Sequence, residues 1–400
     1  AGGGEGGAGG APLPPHHREV RSGVAFRNPW PSFAKEKKHR TLSLLNSVRV
    51  SHKEPSKAEL AALILLSEAP DFTLGACSVA SSSRNIAVTW LGHSTFIVQM
   101  ADLTILTDPT NAFTGIGESL SNENGSFAAA DTASEQTSPS ASSPVAATGE
   151  EKHSFFYPTP IRVVPPFLHI AQLPKIDVVV VSNNRKEHLD LAVVPYLRRA
   201  RWFVPLGVAA AVKKADVGGR PGEEPLNITE LDWYNEVEVN STRIACTPAQ
   251  FASADRNKSL WSSWCFVGRK AAVFFCGASG YRGIPAGSDR HDDIYYRKKF
   301  PHCPEFKEIG RRYGPFTLSM LPIGGKGDGD SGLYCDAMDA ACVHREIKTK
   351  QSVPAQWGAF ARGGEPLLAP VRKIEMALEE VGVHNSDFMV IYPGKTTIYH

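Results

Sequence analysis

Residues 176–190 read IDVVVVSNNRKEHLD, so a short apolar run leads directly into a polar cluster. An apolar run of this length is typical of a buried strand. The polar residues that follow it carry amides, two cations, two carboxylates and one imidazole. We therefore expect a strand over Ile176 to Val181 whose carboxyl end carries a loop from Ser182 to Asp190.

Further short blocks occur along the chain in a characteristic order. They are RNPWP at 27–31, VTWLGHST at 88–95, TDP at 107–109, LPKID at 173–177, WFVPLG at 202–207, LDW at 231–233, TPAQ at 247–250, CGASGY at 276–281, PIG at 322–324 and QWG at 356–358. Together they resemble the zinc-dependent phospholipase D that hydrolyses N-acylphosphatidylethanolamine, within the metallo-β-lactamase superfamily. The resemblance implies an α/β fold, an αββα sandwich of two mixed sheets with outer helices.

The metal ligands of that family can be carried over one position at a time. The loop after the strand supplies two histidines, an aspartate and a closing histidine, of which only the last is retained here. The other ligands are a histidine after Thr-Pro-x-Gln, a bridging aspartate in the Gly-Asp-x-Gly-Tyr turn and a histidine before Trp-Gly. In the same order, the resemblance marks these vestigial pocket positions: Asn183, Arg185, Glu187, His188, Phe251, Ala278 and Gln356.

These replacements remove most of the donors that a metal ion needs. Zinc is held by three or four imidazole, thiolate or carboxylate groups. A two-metal hydrolase also needs ligands that bridge its two ions. Ala278 has no side-chain oxygen with which to bridge two ions, and Arg185 brings a permanent positive charge to the place of a dication. We therefore expect no dinuclear centre, no catalytic residue and no cofactor.

The other histidines and the cysteines indicate no relocated metal site. The histidines are scattered, and none forms a His-x-His or His-x-x-x-His pair on a predicted element; the adjacent pair His16-His17 stands near the N-terminus. His93 lies in a Gly-His-Ser-Thr turn that in the resembled family is structural and close to the pocket. The seven cysteines lack Cys-x-x-Cys spacing, and their odd number favours free thiols in a reducing compartment.

Composition indicates a packed protein with no strong overall electrostatic field. Of the 400 residues, 42% are hydrophobic, and the formal net charge is +2, which gives no case for a nucleic-acid or membrane surface. No apolar run approaches the roughly 18 residues of a membrane span. The chain begins at Ala1 rather than Met, which leaves open what precedes it. We expect an intracellular location in a reducing compartment, for example the mitochondrion.

We divide the chain into an N-terminal extension and one domain. Residues 1–55 comprise a flexible Gly-, Ala- and Pro-rich tail and a segment that wraps the domain surface through Trp30 and Phe33. Residues 56–400 form the metallo-β-lactamase-like domain, with a low-complexity insertion at 115–151. Helices are predicted at 57–68, 304–313, 336–348 and 370–381, and strands at 86–100, 103–106, 243–246, 264–267, 272–276, 318–322, 388–392 and 396–399.

Three functions remain open at this point. The leading hypothesis is a catalytically inactive homologue that acts as a structural or assembly subunit among other proteins, for example in a ribonucleoprotein such as a mitochondrial ribosome. A second is a phosphate- or phospholipid-binding module that uses Arg185 and Lys186, although Arg185 can instead pair with Glu187 or Asp190 and fill the pocket. A third is a residual metal-dependent phosphodiesterase that keeps one ion on Glu187 and His188.

Overall fold

The structure is a computed structural model, and it describes twelve ranges of the chain. They are 14–20, 23–33, 56–110, 112–116, 161–162, 164, 166, 168–216, 224–284, 294–324, 332–361 and 366–400. Residues 1–13 of the tail predicted at 1–15 and residues 117–151 of the insertion predicted at 115–151 lie outside these ranges. The division into an extension and one domain stays a prediction.

Seven α-helices lie in the described ranges: α1 (Lys57–Leu65), α2 (Phe72–Ser81), α3 (Ala209–Ala215), α4 (Ile294–Arg297), α5 (Glu305–Arg312), α6 (Ala337–Glu346) and α7 (Ala369–Val381). Short 3₁₀ helices occupy Ile170–Gln172, Leu191–Leu197 and Asn385–Asp387. Within this part of the chain, no helix combines the length and apolar content that crossing a bilayer requires.

The strands in the described ranges are, in chain order, β1 (His17–Val20), β2 (Gly23–Phe26), β3 (Ile86–Trp90), β4 (Phe96–Met100), β5 (Leu103–Thr107), β6 (Phe113–Thr114), β7 (Ile161–Arg162), β8 (Leu168–His169), β9 (Val178–Val180), β10 (Arg201–Pro205), β11 (Ile228–Leu231), β12 (Glu236–Val239), β13 (Thr242–Thr247), β14 (Ser263–Val267), β15 (Ala272–Phe275), β16 (Phe316–Pro322), β17 (Thr349–Ala355), β18 (Phe360–Ala361) and β19 (Thr396–Tyr399).

Two large mixed sheets form the centre of the molecule. The first has the order β11-β10-β9-β5-β4-β3-β19, and the second has the order β12-β13-β14-β15-β16-β17. Their facing side chains share one hydrophobic core, where for example the ring of Phe96 lies 6.5 Å from that of Phe275. Helices accompany both sheets, so the predicted α/β sandwich is confirmed.

The strand predicted from the opening motif is β9, and it lies between two apolar layers. Val178 and Val180 belong to the core between the sheets, whereas Val179 and Val181 belong to a second core on the other face. Burial on both faces explains the continuous apolar run, because a central parallel strand has no solvent face. The strand can therefore hold the loop that follows it in a fixed position.

Most of the predicted elements are present, but the stretch predicted as strand at 86–100 forms two strands, β3 and β4, and several observed elements, such as β10, β11 and β17, were not predicted. The apolar segment at 388–392 is not a strand: Phe388 makes one isolated bridge to Ser352 after a 3₁₀ helix, and the segment then turns. Helix α2 was not predicted. Its N-cap Asp71 accepts a hydrogen bond from Leu74 N at 2.7 Å, but its sequence, with one Gly and several small residues, has little apolar periodicity.

We call the described residues 14–20 and 23–33 the strap. Its hairpin of β1 and β2 leads to Trp30, which is buried, stacks on Trp233 at 5.3 Å between ring centres and donates a hydrogen bond to Glu305. Phe33 is partly buried against the same core. Aromatic burial thus holds the strap on the turn between β11 and β12.

The buried His344 on α6 predicts a pH-dependent loss of stability. Burial lowers the pKa of His344 from 6.5 to about 4, and its Nδ1 lies 2.7 Å from Ser352 Oγ. Because the unfolded chain takes up this proton first, the stabilisation is present above pH 6.5 and is lost as the pH falls towards 4. Urea unfolding should show a loss of up to about 3 kcal/mol over this range, and a markedly smaller loss in His344→Gln. Equal pH dependence in the two proteins would contradict this assignment.

Candidate functional site

The candidate site lies where two parallel strands of the first sheet end side by side. Strand β5 pairs with β9 so that Thr107 is opposite Val180. This register brings Asp108 next to Ser182, and Asp108 N donates to the Val180 carbonyl at 2.9 Å. The carboxyl ends of parallel strands are the usual position of binding sites in such sheets.

A fully buried carboxylate and imidazole form the base of the site. Asp108 Oδ2 accepts hydrogen bonds from His188 Nδ1 at 2.6 Å and from Ser182 Oγ at 2.7 Å, while Oδ1 accepts from Ser182 N at 2.6 Å. Burial raises the pKa of the Asp108 carboxyl, although His188 and Ser182 act in the opposite direction. Both carboxylate oxygens are therefore engaged within the chain.

This contact orients His188 as a metal-ligating histidine is oriented, with one ring nitrogen on a carboxylate. The other nitrogen, Nε2, is buried and makes no hydrogen bond within the described residues. Its ring lies 5.1 Å from the ring of His93 and 6.1 Å from that of Phe251. Two aromatic rings thus lie near the buried Nε2 of an oriented imidazole.

Arg185 lies inside the site with only 4% of its surface exposed. Its guanidinium carbon is 4.4 Å from the centre of the Phe251 ring, which allows a cation–π contact. Its Nε donates to the Ala252 carbonyl at 3.0 Å, and its Nη1 donates to Tyr334 Oη at 2.8 Å. Nη1 also lies 3.9 Å from the buried Glu187 carboxylate, so a protein cation stands next to this acid.

The remaining vestigial positions close the site from the second sheet. Gln356 is buried, and its Nε2 donates to Ser94 Oγ and to the Gly277 carbonyl, each at 3.1 Å. Ala278 is also buried. The turn before it comes so close to the first sheet that a Cβ on Gly277, whose φ is +60°, would lie 2.4 Å from Ser182 Cβ. The two strand ends therefore touch directly at this point.

The structure brings the predicted vestigial positions together around Ser182 and His188, and all seven are buried. It does not bring together the two residues of the predicted anion site. Arg185 is inside the site, whereas Lys186 is exposed. The alternative contact of Arg185 with Glu187 is present, with Nη1 3.9 Å from Oε1.

The side chains at this site do not fit a two-metal centre. Within the described ranges, His, Cys, Asp or Glu ligand atoms converge in a group of three at one place only, His16, His17 and Asp232, which is outside this site. The carboxylate of Asp108 is engaged by His188 and Ser182, and Phe251 and Ala278 offer no donor. No step of a metal-dependent reaction is therefore assigned to these residues.

Two parts of this geometry were not predicted. Asp108 was noted only as part of a sequence block, although an acid directly after a strand is a signal for a residue at the sheet edge. The His16–His17–Asp232 group was missed because 216 and 215 residues separate the two histidines from the aspartate. Adjacent histidines alone are not evidence of a site, since a distant third ligand leaves no local pattern.

Comparison with known families agrees with this geometry. A family model described as the beta-lactamase superfamily domain matches residues 146–357, more than half of the chain. The chain belongs to the metallo-β-lactamase superfamily. A solved structure of similar fold is that of the isothiocyanate hydrolase from Delia radicum gut bacteria, with a TM-score of 0.50 and 14% identity over 78% of this chain and 98% of that one. At this identity the likeness shows the superfamily fold alone.

Curated relatives place the chain near one branch of the metallo-β-lactamase superfamily. It is 26% identical over 313 residues to N-acyl-phosphatidylethanolamine-hydrolyzing phospholipase D 1 of Caenorhabditis elegans, covering 74% of this chain and 71% of that protein. It is 29% identical over 306 residues to an uncharacterized protein of Mycobacterium tuberculosis, covering 74% of this chain. The chain spans 65% of the length of that mycobacterial relative. The predicted resemblance is confirmed.

The neighbours Arg185 and Lys186 offer a matched test of the filled pocket. Arg185→Ala should lower the free energy of unfolding by about 3–5 kcal/mol, because it leaves the buried Glu187 without its cation. Lys186→Ala, at an exposed position, should change it by less than about 0.5 kcal/mol. Urea unfolding monitored by tryptophan fluorescence measures both values. Equal, small effects would show that Arg185 does not stabilise the site.

Proposed function

We propose that the chain is a catalytically inactive metallo-β-lactamase-fold protein that serves as a structural or assembly subunit of a larger complex. The observation that carries the proposal is the buried Arg185, whose guanidinium covers Phe251 beside Glu187. In the resembled enzymes these three positions all belong to the metal ligand set. Here they form a contact between a protein cation, an aromatic ring and an acid.

The charges of the site are compensated within the chain. Glu187 is next to Arg185, and Asp108 is hydrogen-bonded to His188 and Ser182. A dication would have to compete with a guanidinium that cannot lose its proton. It would find a single oriented imidazole, that of His188, in place of three or four donors. These features support a site that contributes packing instead of metal binding.

Hydrolysis without a metal has little support from the remaining side chains. Metal coordination lowers the pKa of water from 15.7 to about 7, which raises the fraction of hydroxide at neutral pH by roughly 10⁸-fold. His188 could replace this effect only as a general base, and a base must reach the water it activates. His188 is 0% exposed, and the rings of His93 and Phe251 lie against it.

The role in an assembly rests on the sequence segments beyond the packed domain. The predicted insertion at 115–151 is rich in Ser, Ala, Thr and Gly, a composition that cannot build a core of its own and is common in segments that order on a partner. All seven cysteines are free thiols, six of them buried, in agreement with a reducing compartment. A ribonucleoprotein, for example an organellar ribosome or one of its precursors, is the class of partner that we propose.

We expect no phospholipase activity from the purified chain. Vesicles that contain N-acylphosphatidylethanolamine, incubated with the protein and excess ZnCl₂, should release phosphatidic acid at the rate of a protein-free control, because no metal-bound water forms. His188→Asn should give the same background rate. Turnover that disappears both with a chelator and in His188→Asn would contradict the proposal.

The chain should instead be recovered with partners. Isolated from its own cells under native conditions, it should co-purify with other subunits in a near-equimolar ratio, as measured by quantitative mass spectrometry. A variant without residues 117–150 should lose these partners, whereas His188→Asn should keep them, because the site supplies no chemistry to the assembly. Recovery of the full chain as a free monomer would count against a subunit role.

A further inference from the structure

The strap lies on the same loop that carries Phe251. Asn28 Nδ2 donates to the Phe251 carbonyl at 2.7 Å, and Phe26 N donates to the Asn257 carbonyl at 2.7 Å. Ser32 Oγ donates to Gln250 Oε1 at 2.5 Å. The position of the strap is therefore coupled to the loop that forms one wall of the candidate site.

One end of the strap is fastened by two adjacent histidines. His16 Nε2 lies 2.7 Å from Asp232 Oδ1, and His17 Nε2 lies 2.8 Å from Asp232 Oδ2. The two imidazoles thus converge on both oxygens of one carboxylate, which belongs to the turn between β11 and β12. Each of the three residues offers one ligand atom, a ring nitrogen or a carboxylate oxygen, and the three atoms lie within 4.8 Å of one another. Divalent ions of intermediate softness prefer atoms of these types.

The surroundings hold these ligands in place. The His16 ring stacks on Trp233 at 4.1 Å, and the His17 ring meets Phe26 edge-on at 5.1 Å. The side chains of His16 and His17 are 9% and 12% exposed, and that of Asp232 is 20% exposed. The group is thus largely shielded from water but open enough for an ion to enter.

Backbone contacts of the turn that carries Asp232 orient its carboxylate. Trp233 N donates to Asp232 Oδ1 at 2.8 Å, and Asn235 Oδ1 accepts from Asp232 N at 3.0 Å. These bonds fix the direction in which the carboxylate points.

We propose that His16, His17 and Asp232 form a binding site for one zinc ion that fastens the strap to the domain. Zinc at about 2.0–2.2 Å from each donor places tetrahedral ligands roughly 3.4 Å apart, so the two Nε2 atoms, which lie 2.7 and 2.8 Å from the carboxylate oxygens, would have to move away from them. Three protein ligands leave a fourth position for water. The ion binds the neutral imidazoles through Nε2, with the one remaining ring proton of each histidine on Nδ1; an imidazolium ring has to release its second proton to solvent first, so binding weakens at acidic pH.

Zinc titration of the whole chain, stripped beforehand with a chelator, tests the site. Calorimetry and elemental analysis should find one ion per chain at neutral pH. His17→Asn and Asp232→Asn should each weaken binding by roughly tenfold or more, since loss of even an outer-shell partner costs 10–100-fold in affinity.

Two control variants change residues outside the proposed zinc site. His302→Asn removes an exposed histidine that lies 3.3 Å from Glu346, and His188→Asn alters the candidate site. Both control variants should bind zinc as the unaltered chain does.

A second measurement uses the unaltered chain and needs no variant to fold. Zinc should slow tryptic cleavage within the strap, where Arg27 is exposed, relative to the chelated protein. A chain that binds no zinc, or unchanged binding in both His17→Asn and Asp232→Asn, would overturn the proposal in favour of a hydrogen-bonded clamp. Loss of zinc binding in His188→Asn alone would also overturn the proposed His16–His17–Asp232 site. The same result would contradict the inactive site proposed above.

Discussion

The buried guanidinium of Arg185 is the constraint on which the candidate site depends. A charge that cannot be removed has to be compensated where it lies, and the Phe251 ring, the Ala252 carbonyl, Tyr334 and Glu187 together do so. Once this cation is in place, a second positive centre among the same side chains is electrostatically unfavourable. Under the function proposed above, the metallo-β-lactamase scaffold thereby carries a packed junction between two sheets at this point.

The pair of Asp108 and His188 explains how part of the older geometry can persist without an ion. Asp108 is fully buried, and the removal of one member of such a pair typically costs about 3–5 kcal/mol because the other charge stays uncompensated. The contact also links the ends of β5 and β9, with His188 Nδ1 at 2.6 Å from Asp108. A histidine with the orientation of a metal ligand can therefore serve here as a structural partner of a carboxylate.

Sequence reasoning succeeded where the signal is local or spread over many short blocks. The apolar run at 176–181 predicted β9, and the blocks predicted the sandwich and marked the positions that meet around His188. It failed where distant contacts decide the outcome. The segment at 388–392 is apolar but follows a 3₁₀ helix and makes only one bridge. The contact of His16 and His17 with Asp232 depends on the folding of the strap across the domain, which no local pattern encodes.

Anomalous diffraction at the zinc absorption edge, from crystals grown with zinc, tests the central claim most directly. The account predicts no anomalous peak at the ends of β5 and β9, with Arg185 buried against Phe251 and Tyr334. A peak beside His16, His17 and Asp232 is compatible with it. A zinc peak about 2.0–2.1 Å from His188 Nε2, with Arg185 displaced from the site, would contradict it.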